Sequence, residues 1–394
     1  MYLESIREFF QGCGDDFPLT YDPYDLWATK AGRSVRSIYY RFGNVSIPVV
    51  APFVGAEVLC PSLIRRSFNI AKKSYPITNA QLLLVFYHLN SIQQTDFLPF
   101  TASEIIDNIM SSRVETEAGV GWGLPFPWKA RTVHYPADTP FITHMTYVVE
   151  ALVEAYQRGD FSNKSLLRRT GSMLKEGFPS GQAGSGGSWS GYSPRDERKV
   201  INAAAYRAYG LALLGRFLDE QEWVSESHDY VKYVSGQQRP DGSWPYSPEE
   251  QFVDHLHTGM VLKNLHKWRT LVDNPDINGT LERGVNFYTE ELFDSKGSPK
   301  PFHEAPRIQL HTWDLYDAAE ATYTLNRLSG GGFDLEPQAE SVAHRTIRKY
   351  QTHEGSFVYR DYGFFRSKIC YLRWGQVPFV LALSSLVSDM MTGD

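Results

Sequence analysis

The chain has 394 residues, 42% of them hydrophobic and 21% charged, a composition typical of a globular protein with one large core or two to three domains. Its net charge of −6 argues against a general nucleic-acid or anionic-membrane surface, since both favour basic patches. The aromatic fraction of 14% fits an aromatic-rich core, or an aromatic-lined cleft that stacks on sugar rings or isoprenoid chains.

Cysteine usage and the N-terminus predict a soluble cytoplasmic protein. Cys13, Cys60 and Cys370 form an odd, sparse set, which is typical of reduced thiols rather than of a disulfide framework. The first residues, MYLESIREFFQGCGDD, lack the basic region and apolar core of a signal peptide. No uninterrupted apolar run approaches the ~20 residues of a membrane span, so we expect no transmembrane segment.

Residues 1–59 are predicted to form an N-terminal extension packed on the rest of the chain. Within it, residues 32–58, GRSVRSIYYRFGNVSIPVVAPFVGAEV, are the one alternating, β-branched stretch, and this alternation predicts a short β-hairpin. No polar linker divides the remainder, so residues 60–394 are predicted to be a single domain.

Six segments that are apolar nearly all round recur along this domain and begin 54 to 61 residues apart. A helix that is apolar on every side is a buried one, so we predict that these are inner helices. In chain order they are TNAQLLLVFYHL, DTPFITHMTYVVEALVEAY, KVINAAAYRAYGLALLGRFL, VDHLHTGMVLKNLHKW, LHTWDLYDAAEATYTLNRL and YLRWGQVPFVLALSSLV.

Amphipathic segments alternate with the inner helices and are predicted outer helices. Each is followed by a loop with Gly and usually an aromatic residue, such as RPDGSWPYS. The order of outer helix, Gly-aromatic loop and inner helix is repeated about six times. Six such hairpins that close on themselves make an all-α fold, the (α/α)6 toroid, with the inner helices around a central cavity.

The turn YVSGQQRPDGSWPYS resembles the QW motif of squalene cyclases and prenyltransferases. Gln237 or Gln238 precedes Trp244, and Gln351 precedes Phe357 in a second, similar turn. We expect the Gln amide to cap a helix terminus and the aromatic ring to wedge against the next hairpin. This motif indicates the fold more than a function.

The C-terminal half carries further motifs: DHLHTGMVL, the SPKPF loop, LHTWD and YLRWGQ. Over residues 100–390 the chain resembles a loosely characterised group of bacterial and archaeal toroid proteins associated with polysaccharide biosynthesis. It departs from the group's pattern at Pro301-Phe302, where tyrosines are usual, and at Gln309, where an acid is expected, which puts any role of that acid in doubt. The resemblance implies the assembly of surface glycans or glycolipids rather than terpenoid chemistry.

Polar residues gather at the starts of five consecutive inner helices, which in a toroid lie around one end of the barrel. Helix N-termini also carry free N–H groups and partial positive charge, which suit anionic groups. The five clusters are His134, Tyr135 and Asp138; Asn202 and Tyr206; Asp254 and His257; His303, Glu304, His311 and Asp314; Tyr371, Arg373 and Trp374. Tyr359, in the loop before the last helix, is a further candidate.

Each cluster also has a structural interpretation. Asp254 could be a helix N-cap, and His257 could donate a hydrogen bond to a neighbouring helix. Asp138, which precedes Thr-Pro, fits a helix cap better than a ligand site. A buried Arg373 needs an acid partner or an anionic ligand, and we favour the ligand.

Terpenoid and metal chemistry find little support. The sequence has neither the Asp-x-Asp-Asp acid of a class II cyclase nor the Asp-Asp-x-x-Asp of a prenyl-pyrophosphate enzyme. Asp254, His257 and His311 could imitate the zinc site of a protein prenyltransferase, but no Cys lies near them in sequence. We therefore predict neither a metal nor a cofactor.

Glycan chemistry fits the clusters better. A uronate epimerase or lyase needs a His or Tyr base, a proton donor, and a cation that neutralises the substrate carboxylate. We assign catalysis to His257, Asp254, His311 and Tyr371, and substrate binding to Arg373, Trp374, Asp314, His303, Glu304, Tyr359, Tyr206, Asp138 and His134.

Three alternatives stay open: a glycoside hydrolase with paired carboxylates, a non-catalytic glycan-binding scaffold, and a terpenoid cyclase or prenyltransferase-like enzyme. The expected partners are an oligosaccharide or a lipid-linked glycan together with glycosyltransferases. We expect no nucleic-acid partner.

Overall fold

The computed structural model describes residues 1–131, 133–184, 186–305 and 309–392. The helices in this part of the chain are α1 (Tyr2–Gln11), α2 (Asp25–Ala28), α3 (Lys30–Phe42), α4 (Ile47–Leu59), α5 (Pro61–Ser67), α6 (Pro76–Ser91), α7 (Ala102–Ser111), α8 (Ile142–Arg158), α9 (Lys164–Glu176), α10 (Ile201–Leu218), α11 (Gln221–Gly236), α12 (His255–Val272), α13 (Asn278–Glu291), α14 (Leu315–Ser329), α15 (Glu336–Tyr350) and α16 (Val377–Thr392).

Six of these helices form a closed inner ring. Helices α6, α8, α10, α12, α14 and α16 each contact the next in that order, and α16 returns to α6. Helices α6 and α10 bury nearly every residue, as expected of helices that are apolar on all sides. Around them stand α1, α7, α9, α11, α13 and α15, whose apolar faces pack inward, and the core lies between the two rings. The predicted (α/α)6 toroid is therefore confirmed.

Helix α1 occupies the sixth outer position. It packs against α15 and α16, and Ile6, Phe9 and Phe10 are buried in the common core. The side-chain amide of Gln351 joins it to the other end of the chain, accepting from the Ser5 hydroxyl at 2.7 Å and donating to the Ser5 carbonyl at 3.0 Å. The N-terminal extension thus contributes a helix to the barrel itself.

The β-hairpin predicted for residues 32–58 is wrong, because this segment forms α3, a 3-10 turn over Gly43–Ser46, and α4. In α3, Val35, Ile38 and Phe42 recur at spacings of three and four, a helical period that outweighs the β-branched composition. Thr29 caps α3 by accepting a backbone hydrogen bond from the first turn at 3.0 Å.

Short antiparallel strands connect the helices and precede several inner ones. Four two-stranded ribbons pair β1 with β2, β3 with β4, β5 with β6, and β7 with β8, and one three-stranded sheet has the order β11-β10-β9. The strands are β1 (Val114–Thr116), β2 (Gly119–Gly121), β3 (Trp128–Lys129), β4 (His134–Tyr135), β5 (Ser180–Gln182), β6 (Ser188–Ser190), β7 (Val253–Asp254), β8 (Phe302–Glu304), β9 (Trp313–Asp314), β10 (Arg360–Asp361) and β11 (Arg366–Ser367).

The Gln–Trp turn after α11 packs against α13. The Gln238 amide donates to the backbone carbonyl of Thr280 at 2.9 Å, which ties the end of α11 to α13. The buried Trp244 ring donates from Nε1 to the Val234 carbonyl at 2.9 Å. A Cβ added at Gly284 would lie 2.5 Å from the Trp244 ring, so the indole is wedged directly against α13. The wedge expected of the aromatic ring is present, whereas the Gln238 amide bridges α11 and α13 instead of capping a helix terminus.

Candidate functional site at the mouth of the barrel

The inner helices all begin at one end of the barrel, which we call the mouth. Asp254 ends β7 and caps α12, because its Oδ1 accepts the backbone N–H of His257 at 2.7 Å. The other carboxylate oxygen, Oδ2, lies 2.6 Å from Nδ1 of the same histidine. This contact fixes the ring so that Nδ1 donates to the carboxylate and Nε2 is an acceptor. Asp254 therefore serves both as a cap and as the residue that orients His257.

A second acid caps the next inner helix. Asp314 ends β9 and accepts the backbone N–H of Tyr316 at 2.8 Å, while its other oxygen lies 2.5 Å from Nε of Arg360. The register of β9 with β10 places Arg360 opposite Asp314. His311, one turn earlier, has Nε2 at 3.8 Å from the same carboxylate. His311 and Asp314, predicted to share the site, are therefore neighbours.

Asp317 is a third acid at this mouth and was not among the predicted site residues. It is buried, and burial raises its pKa well above the usual range, with further increases from the nearby charges of Asp314 and Asp254. Of the three acids, Asp317 is therefore the one whose environment favours the protonated form. Its position three residues after Asp314, inside an otherwise apolar first turn, was the available signal.

Aromatic rings form the wall of the mouth. Trp374 lies edge-on between Tyr24 and Tyr316, with ring centroids 5.1 and 4.9 Å away. Its Nε1 is buried and has no hydrogen-bond partner among the described residues. Tyr246 packs edge-on against the His257 ring at 4.7 Å. The mouth is therefore lined by interlocked aromatic rings and one indole N–H that is unpartnered in the described part of the chain.

Arg373 and Tyr371 have partners from the N-terminal segment. Arg373 forms a two-point ion pair with the fully buried Asp22, at 2.5 and 2.9 Å. The Tyr371 hydroxyl donates to Glu57 at 2.7 Å, and burial, followed by that carboxylate's charge, raises the pKa of the phenol. The sequence left two alternatives for Arg373, an acid partner or an anionic ligand, and the structure shows the acid partner, not the ligand that we favoured. The Tyr371 hydroxyl is hydrogen-bonded to Glu57.

The remaining predicted residues lie outside the cluster of acids. Tyr359 is the nearest: it is buried in the loop before α16, packs edge-on against Tyr371, and carries the Arg360 guanidinium over its ring. Tyr206 is buried in the barrel interior, 6.2 Å from the Tyr147 ring.

Four further residues lie at the rim rather than in the mouth. His303 packs on outer helix α13, 3.7 Å from a carboxylate of that helix, and Glu304 pairs with Arg239 at 3.1 Å. His134 lies exposed in β4. Asp138 is an exposed turn residue with φ of 63°, and the N-cap of α8 is Phe141, so the capping role expected for Asp138 is wrong.

Buried ion pairs close the barrel below the mouth. Lys263 Nζ lies 2.7 Å from Glu320 and donates to the Tyr147 hydroxyl at 2.8 Å, and both charged side chains are almost fully buried. Lys267 lies 2.6 Å from Glu150 one turn further along the axis. The space left between these side chains is too narrow for a water molecule. These ion pairs therefore close the barrel axis below the mouth, and we call them the floor of the mouth.

The described residues contain no group of three or more His, Cys, Asp or Glu side chains arranged to hold a metal ion. The pattern of Asp254, His257 and His311, which could have imitated a zinc site, instead separates into two acid–histidine pairs on adjacent helices.

Comparisons with known proteins identify the architecture. The chain matches no family model and no curated protein. It is similar to the solved structure of a cellobiose 2-epimerase from Bacillus thermoamylovorans, with a TM-score of 0.62 and 11% identity over 80% of this chain and 88% of that one. It is also similar to a polysaccharide lyase, with a TM-score of 0.58 and 11% identity over 92% and 99% of the two chains.

A third similar structure is the family GH76 α-mannanase from Bacteroides thetaiotaomicron, with a TM-score of 0.58 and 10% identity over 82% of this chain and 88% of that one. At such low identity these likenesses show the fold alone, the (α/α)6 toroid. They do not confirm the resemblance to QW-motif prenyltransferases and cyclases.

Proposed function

We propose that the protein is a sugar epimerase that moves a proton at a carbon atom of its substrate. One observation carries this proposal: an oriented histidine, His257, and a buried carboxyl group with a raised pKa, Asp317, share the mouth through their common neighbour Asp254. A base and an acid held in opposite protonation states are what proton abstraction beside a carbonyl requires. The names of the similar structures, which include an epimerase, support the proposal by analogy.

The proposed steps follow from the hydrogen bonds. With Nδ1 donating to Asp254, the Nε2 lone pair of His257 takes the proton from the carbon next to the carbonyl of the open-chain sugar. The carboxyl proton of Asp317 goes to the carbonyl oxygen, so that a neutral enediol forms rather than an exposed enolate. The enediol then rotates about its C2–C3 bond so that its other face meets His257. The His257 imidazolium returns a proton to the same carbon on that face while Asp317 recovers its proton from the enediol hydroxyl, which gives the epimer and restores both groups.

The sugar is proposed to be neutral, unlike the uronic acid predicted from the sequence. Arg373 already pairs with Asp22, and Arg360 with Asp314. A substrate carboxylate would have to displace one of these acids or remain uncompensated beside Asp254. Uronic acids are therefore the second substrate class to be tested.

The test is solvent-hydrogen exchange. The protein is incubated in D2O with neutral reducing sugars and, separately, with oligosaccharides that contain uronic acid, and both are followed by NMR. We expect deuterium at C2 of a neutral sugar together with its epimer, and loss of both in His257→Ala by roughly 100-fold or more. The exposed His353→Ala is the matched control. Exchange at C5 of a uronic acid would instead restore the sequence-based prediction.

Glycoside hydrolysis is the second candidate, favoured by Asp317, whose pKa is raised, beside two further carboxyl groups, Asp254 and Asp314. Asp254 is already engaged by His257 and Asp314 by Arg360, which makes both weaker nucleophiles or bases. Release of a new reducing end, with no deuterium bound to carbon in the product, would identify hydrolysis. The absence of both exchange and cleavage with every sugar would favour the glycan-binding scaffold.

A lipid-linked glycan, glycosyltransferase partners and a cytoplasmic location stay predictions from the sequence. The exchange experiment does not depend on them.

A further inference from the structure

The segment that follows α2 exposes an unusual amount of apolar surface. We call residues 30–68, which hold α3, α4 and α5, the apolar arm. Val45, Leu63 and Leu59 expose 85%, 63% and 60% of their surface. Of the fourteen large hydrophobic residues that are exposed in the described part of the chain, eight belong to the arm: Tyr39, Phe42, Val45, Ile47, Val49, Leu59, Leu63 and Phe68.

Helix α4 has no buried residue, although its sequence IPVVAPFVGAEVL carries a single charge. The helical stretch Lys30–Leu59 contains an 18-residue window with a mean hydropathy of 1.5, of which 6% is buried. By length and composition it could cross a membrane, in contrast to the expectation of no such segment. Soluble proteins rarely leave so large an apolar surface uncovered unless it binds something.

The charge of the arm differs from that of the whole protein. Residues 30–68 carry six Lys or Arg residues and one acid, Glu57, in a chain whose net charge is −6. That acid is neutralised within the fold by Arg65 at 2.8 Å. Among the described residues no acidic partner is found for five of the cations: Lys30, Arg33, Arg36, Arg41 and Arg66. The negative net charge of the whole chain argued against an anionic-membrane surface, but the arm has a local excess of positive charge.

We propose that the apolar arm docks the protein onto an anionic lipid bilayer. Exposed apolar side chains flanked by unpaired cations match the two layers of such a surface, acyl chains and anionic headgroups. A second copy of this chain fits less well, because a symmetric contact would bring the two sets of cations together.

The arm lies in the interface and does not span the membrane. Helix α4 has 13 residues and is about 20 Å long, against the ~30 Å of a hydrocarbon core. It is separated from α3 by Gly43, whose φ of 56° turns the chain, and it contains Pro52. These breaks favour a bent arm that lies along the bilayer surface.

The arm is fastened at the mouth of the barrel. Glu57 of α4 accepts from the Tyr371 hydroxyl at 2.7 Å, and Arg65 of α5 pairs with Asp25 at 2.8 Å. Since Tyr371 directly precedes the turn that leads into α16, docking would hold the mouth next to the headgroups. The docking does not rest on the proposed function, whose open-chain substrate needs a free anomeric carbon.

Vesicle flotation of the full chain tests the docking without any catalytic measurement. We expect the protein to float with vesicles of phosphatidylcholine and phosphatidylglycerol, to bind phosphatidylcholine alone much more weakly, and to lose binding as salt is raised. Protein that stays unbound with both kinds of vesicle, or that merely self-associates in light scattering, would overturn the proposal.

Three triple variants assign the binding to the arm. The charge variant is Lys30→Gln, Arg41→Gln and Arg66→Gln; the apolar variant is Val45→Ser, Ile47→Ser and Val49→Ser; the control is Lys232→Gln, Lys296→Gln and Arg348→Gln, all exposed elsewhere. Each cation near an anionic surface strengthens binding about fivefold, so the charge variant should bind about a hundredfold more weakly. The apolar variant should lose residual binding to both vesicles. Equal losses in the control variant would contradict the assignment.

Discussion

Replacing Glu320 by Gln should destabilise the protein strongly, because it leaves the ammonium of Lys263 buried without a counter-ion. Lys263 and Glu320 expose only 2% and 3% of their side chains, so solvent cannot screen the loss. Breaking a buried ion pair in this way costs about 3–5 kcal/mol. We expect the lower end, since Lys263 keeps its 2.8 Å contact with the Tyr147 hydroxyl.

Equilibrium urea unfolding, followed by circular dichroism and tryptophan fluorescence, measures this cost. The matched control is Glu222→Gln, which breaks an ion pair of the same 2.7 Å length with Lys175 where the glutamate is 75% exposed. Exposed pairs contribute less than about 1 kcal/mol. If Glu320→Gln costs no more than Glu222→Gln, the conclusion that a buried charge pair closes the barrel is refuted.

A double variant separates the charge effect from loss of packing. Lys263→Met combined with Glu320→Leu removes both charges and keeps apolar volume, so it should recover most of the stability lost by Glu320→Gln. In the wild type, burial lowers the pKa of Lys263, but Glu320 and nearby tyrosines raise it further, and the net shift is upward. The pair's contribution is therefore fully present below the unfolded lysine pKa and is lost as pH rises through the folded value.

Three further substitutions test the packing and the site. Gly284→Ala should cost about 1–3 kcal/mol in urea unfolding, because the new Cβ would lie 2.5 Å from the Trp244 ring; an unchanged midpoint would contradict the wedge. The pKa of Asp317 is raised in the folded state, so the folded protein keeps a proton that the unfolded chain loses above about pH 3.9. The free energy of unfolding should therefore fall as pH rises from about 3.9 to the folded pKa. A pH series of unfolding curves should show this slope in the wild type but not in Asp317→Asn. Tyr371→Phe should lower stability by roughly 1.5–3 kcal/mol through the lost bond to Glu57 while leaving turnover intact; a large fall in kcat at unchanged stability would return Tyr371 to catalysis.

The inner ring was predictable because burial leaves a local mark on the sequence. Segments such as INAAAYRAYGLALLGRFL are apolar on all sides over a whole helix, and only a buried helix has that pattern. Helix α1 is an ordinary amphipathic helix, and its place is set by contacts with α15 and α16 at the far end of the chain. A local pattern gives the face that is buried but not the helix that covers it.

The same is true of the candidate site: a pair that is close in sequence could be predicted, and a pair that is distant in sequence could not. Asp254 and His257 lie within one turn, so their pairing could be expected from spacing. The partner of Arg373 is Asp22, 351 positions away, and no local signal distinguishes that acid from an external ligand. Asp317 was missed for a different reason: an acid in a first helical turn is usually a favourable surface charge, and only the folded structure shows that this one is buried and has a raised pKa.

The floor formed by the Lys263–Glu320 and Lys267–Glu150 pairs determines how a substrate can move. A tunnel would let a polymer thread through and be processed along its length, whereas a vessel closed at one end receives and releases its contents by the same opening. On the proposed function, substrate and product therefore share one opening, and the product must leave before the next substrate arrives.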